Sequence, residues 1–150
     1  MTRIKRLPDW DKKLFAFLLE RSSHPFVYGQ NDCCMFTCDG ILAETGTDLA
    51  LDWRGLYNDF QSARGLMRSR FKRGLLPAII AKAREFYIPE IPKEFVMRGD
   101  VAVVKHEDEH EGKMVLALGL INDGRITMVN YKGIHSVPLE IGLRFWHIGF

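Results

Sequence analysis

The sequence predicts an α+β fold, with helices from the amino-terminal half packed on an antiparallel sheet from the carboxy-terminal half. Three observations carry this. Apolar residues recur at helical spacing from Trp10 to Phe86, they alternate from Val101 onward, and the change falls at a proline-punctuated connector, Ile88 to Pro92. No repeat, low-complexity segment or linker divides the chain, so residues 1–150 read as one domain.

Pro8 and Asp9 open a first helix, Trp10 to Arg21, with Trp10, Leu14, Phe17 and Leu18 as its buried stripe and Lys12, Lys13 and Glu20 outward. Ser22 to Pro25 end it. Phe26, Val27 and Tyr28 form a short extended run, and Gly29, Gln30 and Asn31 are turn residues. Asp32 is a good N-cap for a second helix running to about Thr45, with Cys34, Cys38, Ile41 and Leu42 on one face and Gly46 as its stop. Asp52 is a candidate cap for a third helix through Tyr57, Phe60 and Met67. Gly74 breaks that helix, and a fourth runs from Leu76 to about Phe86, with Pro77 tolerated in its first turn. Arg98-Gly99-Asp100 is a turn. Strands follow at Val101 to Val104, Met114 to Ile121, Ile126 to Asn130, Ile134 to Val137 and Phe145 to Ile148, with Asn122-Asp123-Gly124 as a hairpin turn.

With 150 residues, 47% of them hydrophobic, the chain can bury a real core. A net charge of +2 is too small to argue for nucleic acid or an acidic membrane face. The basic amino end, Arg3, Lys5, Arg6, Lys12 and Lys13, reads as solvated surface. No apolar run reaches membrane-spanning length, and Pro8, Asp9 and Asp11 interrupt any signal-peptide core, which points to folding in a cytosol or delivery by a route other than secretion. Three cysteines are an odd count for a disulfide framework and one short of a four-cysteine cluster. No cofactor is expected.

Cys33 falls in the first turn of the second helix, where unpaired N–H groups and the positive end of the helix dipole favour a thiolate. Two readings stand: a nucleophile, or a small buried hydrophobe. For Cys34 and Cys38, on the apolar face, the second is the expectation. A further pattern, His106-Glu107-Asp108-Glu109-His110, fits the His-Glu-x-x-His of zinc peptidases. That chemistry requires a helix, and this stretch lies between two strands, so it reads as a solvated loop and no metal site.

Several of these pieces, in this order, resemble the NlpC-like branch of papain-like cysteine peptidases. Phe26-Val27-Tyr28-Gly29 and Asp32-Cys33 match the aromatic-Gly turn and the Asp-Cys helix start of that family, with Cys34 in place of a serine. Gly99-Asp100-Val101 matches its Gly-Asp turn before a strand. The likeness runs from His24 to about Pro138. The Asn31-Asp32-Cys33-Cys34 stretch and the ending Phe145-Trp146-His147-Ile148 are closer still to small NlpC-like proteins of phage and gene-transfer-agent tails. The resemblance implies a papain-like fold and a cleft for peptidoglycan stem peptides. It implies Cys33 as nucleophile, and Phe26, Tyr28 and Asp32 on the substrate side. A virion location follows from it too, with other tail-tip or hub proteins as partners.

The family's general-base histidine would fall at Ala117, within Ala117-Leu118-Gly119-Leu120, and its orienting polar residue at Asn130. Alanine can neither hold a thiolate as an ion pair nor protonate a leaving amine. Substitute bases are His135 first and His24 second, with His147 a further candidate. Three functions follow: a tail-tip building block that has lost hydrolysis, an active endopeptidase built on Cys33 with a relocated histidine, or a wall-binding module that does not cleave. The missing imidazole favours the first.

Overall fold

A computed structural model describes residues 3–70, 74–107 and 112–149. Four helices precede a six-stranded sheet, in the order α1 (Trp10–Arg21), α2 (Cys33–Thr45), α3 (Phe60–Arg70), α4 (Leu75–Glu85), β1 (Glu90–Ile91), β2 (Val101–Glu107), β3 (Met114–Asn122), β4 (Arg125–Asn130), β5 (Gly133–Pro138) and β6 (Gly142–Trp146). The strands lie in the order β1-β6-β2-β3-β4-β5, and every neighbouring pair is antiparallel. The α+β class is therefore as expected.

Most elements form where the apolar period places them. In α1, Leu14 and Leu18 are buried and Trp10 and Phe17 half-buried, while Lys12, Lys13 and Glu20 face outward. The β3–β4 hairpin turns on Asp123 and Gly124, whose φ angles of 52° and 68° match the right-handed twist of the flanking strands. Three elements depart from expectation. The third helix starts at Phe60, and Asp52 caps nothing; its carboxylate instead takes a 2.9 Å ion pair from Lys82. The connector contains a two-residue edge strand, β1, paired with β6 at Glu90↔Trp146. The last strand ends at Trp146, so His147 and Ile148 lie beyond it.

Alternation along the strands gives two clusters, one on each face of the sheet. Val101, Val103, Leu118, Leu120, Val129 and Trp146 pack with Leu14, Leu18, Met35, Phe36 and Ile41 of α1 and α2. Ala102, Val104, Ala117, Ile126, Met128 and Phe145 form the second. The helix α2 is buried on most sides, but Leu42, expected on the inner face, stands 38% exposed. Gly40 brings α2 down onto β3: a β-carbon there would lie 2.3 Å from the Leu120 side chain.

Arg6 also departs from expectation. It is not solvated but bridges two fully buried carboxylates, Glu44 at 3.1 Å and Asp100 at 3.2 Å, and donates to the Arg98 carbonyl at 2.7 Å. Asp100 also accepts from the Met97 and Ile148 main chain and lies 2.9 Å from His147 Nδ1. This network ties the segment before α1, the Gly99-Asp100 turn and the residues after β6 together. Burial raises the Glu44 carboxyl from 4.5 to about 8, against the pull of Arg6. The folded chain thus keeps a proton on Glu44 that the unfolded chain releases from about pH 4.5 upward. Stability from this group is full below that pH and falls as pH rises towards about 8. Denaturant melts at several pH values should show the wild type losing ~2–4 kcal/mol more than Glu44→Gln across this window. Parallel curves for the two proteins would contradict it.

Candidate functional site

The site is built where α2 meets β3. Val27 to Asn31 form a tight turn, with Asn31 N–H donating to the Val27 carbonyl at 2.8 Å, and Gly29 adopts φ +83° with the Tyr57 carbonyl where a side chain would stand. Asp32 follows in extended conformation and caps α2, Oδ1 accepting from Met35 N–H at 2.8 Å. Its other oxygen accepts from Gly29 N–H at 2.8 Å and from the Tyr57 hydroxyl. One buried carboxylate therefore holds the turn, the helix start and the loop carrying Tyr57. Burial, then the Asp32 charge, pushes the Tyr57 phenol well above its ordinary range, so it stays a donor.

Cys33 is half-buried at the tip so formed. Its pKa is lowered, first by the Cys34 thiol, which donates to its sulfur, and then by the main-chain N–H groups of Leu118 and Cys34; burial and the Asp32 charge oppose them. Cys34 is correspondingly raised well above 9.0, and burial lifts Cys38 to about 12. The largest contribution to the lowered Cys33 pKa comes from Cys34, which the apolar pattern had reduced to a small hydrophobe. No disulfide links the three.

Cys33 opens on a cavity of about 380 Å³. Phe26, Tyr28, Asp32, Asn130 and His135, all singled out from the sequence, line it, as does Ala117. Phe26 and Tyr28 pack edge to face at 4.8 Å. The Asp32 oxygens are already occupied by three donors. Asn130 Oδ1 accepts from Lys132 N–H at 2.9 Å, and its carbonyl accepts from Phe26 N–H, so it fixes the aromatic run against β4.

The histidines separate clearly. His24 is exposed at the end of α1, 3.8 Å from Glu20, and does not line the cavity. His147 is engaged with Asp100 in the buried network. His135 lies on β5 opposite Met128, and His106 lies on β2 opposite Val115, one alternation beyond the Val104↔Ala117 pair. Both line the cavity. His106 belonged to the zinc-like pattern and was set aside with it. Period-two alternation from Val104 was the signal that could have placed it on the Ala117 face. His106 and Glu107 are in a strand, not a helix; Asp108, Glu109 and His110 lie outside the described residues. Among the described residues no three His, Cys, Asp or Glu side chains group as metal donors, and no helix is long and apolar enough to cross a membrane.

The site is thus a thiol of lowered pKa at a helix start, facing a mostly apolar cavity, with two imidazoles on its wall. The chain belongs to the family described as Domain of unknown function (DUF6950), whose model matches residues 5–148. No curated protein and no solved structure matches it.

Proposed function

We propose that this chain is an NlpC-like, papain-like domain of a phage tail tip, kept as a baseplate- or hub-associated building block after losing peptidoglycan hydrolysis. One observation carries this reading: Ala117, where the family's base would stand, lines the cavity into which Cys33 opens. Amide cleavage by a thiolate ends with an amine leaving group that must be protonated, and no imidazole at Ala117 can do so. Loss of such a group costs about 100- to 10,000-fold in rate. The outer face of α1, with Phe15 60% and Leu19 64% exposed one turn apart, supports a docking role towards other tail proteins.

A second reading, an endopeptidase that opens the wall during phage DNA entry, draws on His106 and His135. Both share the cavity with Cys33, and His135 with Asn130 would complete a relocated triad. Purified protein incubated with sacculi distinguishes the two. We expect no release of soluble fragments, and particles carrying Cys33→Ala should assemble normally. Fragment release that vanishes in Cys33→Ala and in either His106→Ala or His135→Ala would overturn the structural reading in favour of the enzyme.

A further inference from the structure

The cavity beside Cys33 is a poor match to a polar peptide. Away from the sulfur it runs between α2, α3, α4 and the sheet, walled by Ile41, Leu49, Trp53, Met67, Ile79 and Trp146. Lys82 and Thr37 are polar residues of the same wall. Thr37 is 1% exposed, and its hydroxyl has no hydrogen-bond partner among the described residues. A buried hydroxyl left so is unfavourable unless something entering the cavity supplies the partner. Thr37 sits one helical turn beyond Cys33 on α2, so their β-carbons are about 5–6 Å apart. A carbonyl attached to the sulfur is within reach of that hydroxyl.

We propose that the cavity receives the aliphatic chain of an acyl thioester and that Cys33 takes the acyl group. The Cys33 thiolate attacks the carbonyl carbon, a new carbon–sulfur bond forms, and the donor's carbon–sulfur bond breaks. The departing thiolate carries away the electron pair and takes from solvent the proton that Cys33 gave up. Because a thiolate leaves without prior protonation, this exchange does not need the imidazole that Ala117 lacks, whereas amide cleavage does. The N–H groups of Leu118 and Cys34, which donate to the sulfur, favour the attacking thiolate, and the Thr37 hydroxyl donates to the carbonyl oxygen as it gains charge.

This inference shares Cys33 with the tail-tip reading but does not rest on it; sacculus digestion bears only on the latter. The test uses the N-acetylcysteamine thioesters of octanoate and acetate, followed by intact mass. We expect one adduct, removed by hydroxylamine, absent from Cys33→Ser, and formed at least ~10-fold faster with octanoyl than with acetyl. In Thr37→Val the rate of octanoylation relative to iodoacetamide alkylation of Cys33 should fall ~5-fold. No adduct, equal rates for the two chain lengths, an adduct on Cys34 or Cys38, or an unchanged ratio in Thr37→Val would overturn the proposal.

Discussion

Iodoacetamide at about pH 6 is expected to label Cys33 at least ~30-fold faster than Cys38. Cys38 is raised to about 12, while Cys33 lies below 9.0. That gap is a thousandfold or more in thiolate fraction, of which the lower intrinsic nucleophilicity of the more acidic thiol returns about a factor of 20–30. Access works in the same direction, since Cys33 is half-buried at the cavity and Cys38 buried. Cys34 should also lag, because its proton is held by the neighbouring sulfur. Cys34→Ala removes that donor, so Cys33 labelling should slow in this variant. Peptide mapping after timed quenching gives all three rates at once. Similar slow labelling at the three positions would mean that no thiolate is poised here, and it would remove the chemical basis for both the acyl proposal and the endopeptidase reading.

Asp32→Ala should lower stability by about 3 kcal/mol, one of the largest single losses available in this fold. The cap accounts for about 1 kcal/mol of it. The remainder comes from stranding Gly29 N–H and the Tyr57 hydroxyl, two donors that share the second oxygen. For a chain of this size the midpoint should drop by roughly 6–12 °C. Asp32→Asn keeps an acceptor for the cap and should lose about 1 kcal/mol. The same variants should slow Cys33 alkylation, because the turn, the helix start and the Tyr57 loop are registered to one another through this side chain. Thermal melts within a degree or two of wild type for Asp32→Ala would show that the clamp is dispensable.

The parts of the fold that the sequence made readable are those with a period. The α1 boundaries, the Asp32 cap and the Asp123-Gly124 hairpin follow from spacing and turn chemistry, and each sits where that chemistry puts it. The edge strand β1 was hidden because two residues between prolines have no period to detect. Asp52 looked like a cap because an acid before an apolar run usually is one; here the partner is Lys82, thirty residues away and invisible to local reasoning. Arg6 was read as solvated for the same cause, since a buried charge is legible only once its partner's place in the fold is known. In the site, Cys33, Phe26, Tyr28, Asp32, Asn130 and His135 could be selected from the sequence, and all line one cavity. What could not be selected was what each does there. Asp32 proved to be a clamp and Cys34 a donor, and Thr37, which no motif marked, carries a hydroxyl with no partner among the described residues.

Cys33 packs against both apolar clusters, the one shared with α1 and α2 and the one on the opposite side of the sheet. The seam between the two layers therefore runs past this sulfur. Air or peroxide that carries it up to a sulfinate or sulfonate would wedge a larger, charged group between two dry surfaces. For this molecule the redox history of a preparation is a variable of its architecture as much as of its reactivity.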